Sequence, residues 1–470
     1  MPVEKGIFMF GIQINRDSHI SISRQIYQNI TGAILADQIH SGEALPSSRE
    51  LAKQLSVARN TVSEAYDMLK AEGYISSRTG SPCRVKSDLF LPVQNNKTMS
   101  QCVLNPPKSK IDYDFRTGIP DISQFPFHTW NQLQNKALEY IDKSNWLYGG
   151  YQGYFPLREE IASWLFRTKG IAVSPDDVFI AAGATHAINL VAEILKGKPG
   201  KFVLENPCHL GILKILQLKN MSYQVIDVDN QGIQVSALQS GTISCVYVTP
   251  SHQFPLGFIL PAGRRVELIR LAREKEFYVL EDDYDGEFRY GGPPITPLYT
   301  MDTEHVIYIG TFSKSLFPAL RIGYALLPPA LREKWIELRQ YSDIQNPIIE
   351  QIVLTELFKT RKIDRYIRLM NKTYANRQTI LVKAIRDYFP NNTKVIGEKA
   401  GLHLAIQVPE FLFDNKFHLL CEEKGIAVTP CSIYALGNQK YEDNLLLGYG
   451  NISNDKVVNG IKTLAQICCF

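Results

Sequence analysis

The sequence contains no apolar run approaching the ~18 residues needed to cross a bilayer, so a membrane-spanning helix is not expected. Its N-terminus lacks a basic flank followed by an apolar core and a small-residue cleavage site, which argues against secretion. Eight cysteines stand at 83, 102, 208, 245, 421, 431, 468 and 469, and none forms a CxxC pair. Neither a zinc site nor a disulfide framework is indicated, and a reducing cytoplasm fits. Charge of one sign is also scarce. The net charge is +4, and residues 1–87 hold ten Lys/Arg against eight Asp/Glu. That balance does not by itself point to nucleic acid, so any DNA-binding argument must rest on pattern. No internal repeat is evident.

What is present is a long, ordinary globular composition: 470 residues, 45% hydrophobic and 21% charged. Such a length predicts two or three domains. Residues 14–87 read as three short helices and a hairpin. Ile22, Ile26, Ile30 and Ile34 recur every four residues and give one apolar helix face. Ser47 or Ser48 can cap a second helix with Leu51, Ala52 and Leu55 inward. A third helix is predicted to start near Thr61, to bury Val62, Ala65, Tyr66 and Leu69, and to end at Gly73. Tyr74–Arg78, a Thr79-Gly80-Ser81 turn and Cys83–Lys86 suggest a two-stranded wing. Residues 88–112, polar and proline-bearing without a period, read as a linker. From 113 to 470 short apolar runs alternate with helical segments: Val178–Ala182, Lys201–Leu204, Cys245–Thr249, Phe277–Leu280, Val306–Ile309 and Ile322–Leu326. Continuous apolar strands between helices predict an α/β domain whose mainly parallel sheet is covered on both faces.

The chemistry concentrates in GTFSKSLFPALRIGY, residues 310–324. A lysine just after an apolar strand is held partly desolvated, where its amine loses a proton more readily and can condense with an aldehyde. Lys314 is that candidate. Thr311, Ser313 and Arg321 add hydroxyls and a cation suited to a phosphate dianion. In VLEDDYDGEF, Asp282 falls just past a strand end, where ligands bind in open α/β sheets. A carboxylate there can pair with the ring nitrogen of pyridoxal phosphate, and Tyr284 can bond the ring hydroxyl. Gly183, Ala184 and Thr185 lead from a strand into a helix whose N-terminus can approach phosphate closely. Each element has a plainer alternative. Gly-Ala-Thr also makes an ordinary turn and cap, while Asp282, Asp283 and Asp285 also suit a solvated loop or a metal cluster.

The stretch LPSSRELAKQLSVARNTVSEAYDMLKAEGYI resembles the GntR-type winged helix, in which the third helix enters the major groove. By that resemblance Ser48, Arg49, Arg59, Asn60 and Thr61 are the candidate DNA contacts. Taken singly, Arg49 and Arg59 also read as solvated surface charge. Gly183, Asp282, Lys314 and Arg321, in that order, resemble fold-type I pyridoxal-phosphate enzymes. That resemblance implies a dimer, with Tyr148 of YGGYQGYFPLREEIA reaching the phosphate of the neighbouring subunit and His209 of ENPCHLG stacking on the ring. The two modules together resemble the MocR regulators, of which DFRTGIPD (114–121), VTPSHQFPLG (248–257) and EDDYDGEFRYGG (281–292) are typical. The resemblance implies a head-to-tail homodimer that binds a double-stranded DNA operator and senses a small effector. The effector classes are pyridoxal phosphate itself, an amino compound such as γ-aminobutyrate or a D-amino acid, and a small peptide or cell-wall precursor. The sequence departs from working aminotransferases near its end. Leu446, in LLLGYG, stands where they place the arginine that forks a substrate carboxylate, and no arginine follows Arg386. Full transamination is therefore not expected. The alternatives are an active aminotransferase carrying a DNA tether, and a regulator whose large domain is a scaffold without cofactor.

Overall fold

A computed structural model describes the chain apart from residues 1–11, 13, 79–80, 88, 90–109, 149, 292–294, 438–439 and 470. The chain divides into two compact units, Met1–Pro106 and Pro107–Phe470. The Thr79-Gly80 turn and most of the expected linker, residues 90–109, lie outside the described residues. Among the described residues no helix is long and apolar enough to cross a membrane.

The first unit contains helices α1 (Ile22–Leu35), α2 (Ser48–Leu55) and α3 (Arg59–Ala71), then an antiparallel pair, β1 (Ile75–Ser76) with β2 (Arg84–Val85). Ile26, Ile30 and Ile34 of α1 pack with Leu51 of α2 and with Val62, Ala65 and Leu69 of α3 in one core. The Tyr66 hydroxyl crosses from α3 to the Pro46 carbonyl at 2.8 Å and fixes the α2 entry. Ser47 is the α2 cap, in a reciprocal box with Glu50, so the Ser48 hydroxyl, on the first helical residue, is not needed as the cap. The third helix starts at Arg59, two residues before the expected Thr61, and its cap residue Ala58 offers no side-chain bond. The backbone N–H groups of Arg59 and Asn60 thus have no side-chain acceptor, while that of Thr61 donates to the Ala58 carbonyl at 3.1 Å.

The second unit is built on an eight-stranded sheet. Across it the strands run Val178–Ala181, Gly323–Leu326, Val306–Thr311, Tyr278–Asp283, Ile243–Val248, Lys201–Asn206, Tyr223–Asp229 and Gly232–Ile233. The five from Val306–Thr311 to Tyr223–Asp229 are mutually parallel. Gly323–Leu326 is antiparallel to both of its neighbours. Side chains alternate between faces along a strand, and here both faces are apolar. Val178 and Ile180 enter one core with Val279, Val306 and Tyr308. Phe179 and Ala181 enter the other with Leu280, Ile307 and Ile309. That double burial is why these strands read as unbroken apolar runs.

A four-stranded antiparallel sheet follows, in the order Lys394–Ile396, His403–Gln407, Asn444–Gly448 and Thr429–Pro430. Tyr113–Asp114, at the start of the unit, pairs parallel with Ile426–Ala427. This pairing carries the next residues, Thr117 and Gly118, to the pocket described below.

Candidate functional site

The carboxyl ends of the central strands converge on a cavity of about 310 Å³. Thr311, Ser313 and Lys314 come from the end of Val306–Thr311, and Asp282 and Tyr284 from the end of Tyr278–Asp283. Ala184, Thr185 and His209 line it from the starts of two helices, and Arg321 from the turn before Gly323–Leu326. Gly183 sits immediately behind Arg321, which donates to the neighbouring Ala182 carbonyl. Of the residues expected from sequence, only Tyr148 is apart: it is 85% exposed and does not line the pocket of its own chain.

Asp282 lies within its strand, one residue before the end, and not past it. Its Oδ2 accepts from the Tyr247 hydroxyl at 2.8 Å, while its Oδ1 is buried without a hydrogen-bond partner. Burial, reinforced by the charges of Asp283 and Asp285, raises its pKa to about 7. The acidic trio is no solvated loop, because all three side chains are buried. Asp283 is ion-paired to Lys169, and Asp285 bonds His252 Nδ1 at 3.0 Å. The trio's chain neighbour Tyr284 also spends its hydroxyl on His252, 2.9 Å from Nδ1 and 3.1 Å from the carbonyl.

The Lys314 amine donates to the Gly118 carbonyl at 2.6 Å, and burial lowers its pKa. Gly118 has φ +77°, and a Cβ there would lie 2.7 Å from the amine. Gly183 opens the helix Ala184–Leu195 at φ +86° and ψ 174°, a region nearly confined to glycine. A Cβ there would stand 3.1 Å from the Arg321 guanidinium. The helix start has no side-chain cap, which leaves its N–H groups for an anion. The Thr311 hydroxyl donates to Ser313 Oγ at 3.0 Å beside it. A buried carboxylate with one unpartnered oxygen, an amine whose pKa burial lowers, and a cation beside an uncapped helix start make a donor set that fits pyridoxal phosphate.

Sequence reasoning missed Thr117, Gly118, Tyr247, Phe254, Leu402, His403 and Tyr434, all of which line the pocket. His403 Nε2 lies 3.0 Å from the Pro255 carbonyl, and burial lowers its pKa to about 3, so the ring is neutral. Leu446 does not reach the pocket lining. It is fully buried in a separate apolar cluster with Val228, Leu256, Ala405 and Cys431.

In the first unit Ser48, Arg49, Arg59, Asn60 and Thr61 gather at the starts of α2 and α3. The Arg59 Nε lies 3.4 Å from Ser48 Oγ, which ties the two helix starts together. Arg49, Arg59 and Asn60 are exposed, while Ser48 and Thr61 are half-buried.

Residues 114–458 match the model of the aminotransferase class I and II family, and residues 22–85 that of the bacterial regulatory proteins of the gntR family. The chain is 32% identical over 456 residues to the uncharacterized HTH-type transcriptional regulator YdeL of Bacillus subtilis, covering 96% of this chain and 97% of that protein. It is 27% identical to the probable rhizopine catabolism regulatory protein MocR of Rhizobium meliloti, over 96% of this chain and 94% of that one. Among solved structures, the kynurenine aminotransferase of Pyrococcus horikoshii superposes with a TM-score of 0.70 at 27% identity, over 77% of this chain and 91% of that one.

Proposed function

The chain belongs to the MocR-type regulators, a gntR-family DNA reader joined to an aminotransferase class I and II domain, and from that premise we propose that its large unit holds pyridoxal phosphate on Lys314 and that occupancy of this pocket sets how the reader holds an operator. The observation that carries the proposal is that the buried, unpartnered Oδ1 of Asp282 and Lys314, whose pKa burial lowers, line one cavity. Bound there, the cofactor supplies an aldehyde and an electron-withdrawing ring. Asp282 would hold the proton on the ring nitrogen, and Lys314 would offer a neutral amine. Arg321, Thr311, Ser313 and the start of the Ala184–Leu195 helix would hold the phosphate, with His209 on the ring face. Tyr284 would fix His252 and with it the pocket wall. Tyr148, exposed in a single chain, would serve the partner's phosphate in a head-to-tail dimer.

In the reader, Arg49 and Arg59 would contact phosphates or guanine edges, with Ser48, Asn60 and Thr61 as short donors around the open start of α3. An effector can act on DNA only by preferring one arrangement of the dimer over another. The effector would be pyridoxal phosphate itself, an amino compound or a small peptide.

The test is spectroscopic. Protein mixed with pyridoxal phosphate should develop a near-visible band, and borohydride should fix the cofactor on Lys314. Lys314→Ala should lose the band and keep its fold. The same band in the variant, with another lysine trapped, would overturn the assignment.

One observation bears on the alternative of an active aminotransferase. The position expected for the carboxylate-binding arginine is Leu446, packed in an apolar cluster, and no arginine follows Arg386. An ordinary amino-acid substrate would lack its bidentate anchor there. Multiple turnovers across an amino-acid panel would favour the enzyme over the sensor.

A further inference from the structure

A second cavity, of about 440 Å³, adjoins the cofactor pocket. Ser251, His252 and Asp283 line it, while the chain neighbours Asp282, Tyr284 and Asp285 line the cofactor pocket. One wall thus serves both. Ser251 Oγ donates to Asp283 at 2.9 Å, and His252 bonds both Asp285 and Tyr284.

The charges lining this cavity do not balance. It has five cationic side chains, Arg167, Lys169, Arg289, Arg361 and Arg368, against three carboxylates, Asp283, Glu287 and Asp364. Each carboxylate has a cationic partner, although Glu287 Oε2 and Asp364 Oδ1 are buried without a hydrogen bond. Lys169 is paired with Asp283 and lies 3.2 Å from Glu287. Burial works against the Lys169 charge, yet those two carboxylates hold its pKa above the ordinary lysine value. Asp364 lies 2.8 Å from Arg361 and 3.8 Å from Arg167. Arg289 and Arg368 are left without an ion pair among the described residues. Arg289 is the more telling of the two, because its Nε and Nη1 are buried with no hydrogen-bond partner. A half-buried guanidinium with unmet donors calls for an oxyanion, which its planar fork matches. Beside it, Trp164 and Ile367 give the cavity an apolar side.

We propose that this cavity is a second ligand site, for a small organic anion whose carboxylate or phosphate pairs with Arg289 and Arg368 while its apolar body rests on Trp164 and Ile367. The volume falls in the usual range for small-molecule sites, ~300–1,000 Å³. Because the wall is shared, an anion here and a cofactor next door would alter each other's affinity by the same factor. The site itself rests on the large unit's geometry and does not depend on the cofactor or DNA assignments.

The test is calorimetry on the full-length protein, with excess pyridoxal phosphate present to occupy the first pocket. The probes are 3-phenylpropionate, inorganic phosphate, and 3-phenylpropylamine as a cationic isostere. At least one anion should bind saturably and the amine should not; which anion binds tells the carboxylate source from the phosphate source. The double variant R289Q/R368Q should weaken that binding by about tenfold or more, the weight of one charge-assisted hydrogen bond. Arg368 is exposed, so R368Q alone keeps the test available if the double variant melts early. The proposal is overturned if neither anion binds, if the amine binds equally well, if folded variants bind as the parent does, or if pyridoxal phosphate displaces the anion competitively.

Discussion

Replacing Asp282 by Asn removes the charge that the cofactor ring would use while keeping the shape of the side chain. The structure sets the size of the effect. Before a ring cation faces it, Asp282 has its pKa raised to about 7, chiefly by burial and against the opposing charge of Lys314. At pH 5 it is then protonated, and ionising it to face a ring cation costs about 1.4 kcal/mol per pH unit below the midpoint. Two units make that about 2.7 kcal/mol, or roughly a hundredfold in affinity. Burial also lowers the Lys314 pKa, and whatever pH dependence that brings is common to parent and variant. Asp282→Asn keeps the lysine contribution and loses the carboxylate one. Titrations followed by cofactor absorbance at pH 5, 6, 7 and 8 should therefore show a parent slope of log affinity steeper by about one between pH 5 and 7. At pH 8 the variant should bind about 10–150-fold more weakly, the loss of a hydrogen bond to a charged group worth about 1.5–3 kcal/mol. Parallel pH curves for parent and variant would refute the assignment of Asp282 to the ring nitrogen.

Gly183→Ala should cost about 1–3 kcal/mol of stability through its glycine-only backbone conformation, and should weaken cofactor binding by pressing on Arg321; an unchanged melting midpoint and affinity would contradict the phosphate cradle. Arg59→Ala should lower DNA affinity and reduce its salt dependence by about one charge if the contact is to phosphate, or by ~1–3 kcal/mol with relaxed discrimination if it is to guanine; gel-shift series across salt concentrations separate these, and no change at all would leave Arg59 a surface charge. Without cofactor, Asp282, Glu205 and Glu281 are all raised to about 7 by burial. For these three groups the folded chain keeps protons that the unfolded chain releases, which lowers stability as pH rises from about 4 to 7, while His403, lowered to about 3 by burial, contributes with the opposite sign over the same window; Glu205→Gln should therefore make the slope of stability against pH more positive over that window, and denaturant titrations showing an unchanged slope would contradict its burial shift.

The sequence was most legible where one local feature did one job. The six apolar runs became strands because alternate residues enter two different cores, which leaves no polar face to interrupt the run. Tyr223–Asp229 escaped notice because it lies near the sheet edge, with only Ile226 and Val228 buried, so its apolar run is broken. In the pocket, Thr311, Ser313, Lys314 and Arg321 share one loop and were found together. Thr117 and Gly118 were not, because the pairing of Tyr113–Asp114 with Ile426–Ala427 carries them in from more than 300 residues away. His403 and Tyr434 arrive the same way, from the small C-terminal sheet and the turn beside it. The absence of an arginine after Arg386 was visible from composition, but only packing shows that Leu446 lies in an apolar cluster away from the pocket lining. The second cavity had no sequence signal, since its charges come from three separate segments.

The central claim is that the Lys314 pocket controls the reader. Its most direct test is a DNA-binding titration of the full-length protein and of Lys314→Ala, on DNA from immediately upstream of the chain's own coding region. Each should be run without ligand, with pyridoxal phosphate, and with candidate amino compounds. The account predicts that the parent's affinity, or the bend it imposes on the DNA, changes with ligand, and that the variant stays in one state throughout. Identical curves for both proteins in every condition would contradict it and leave the large unit a scaffold.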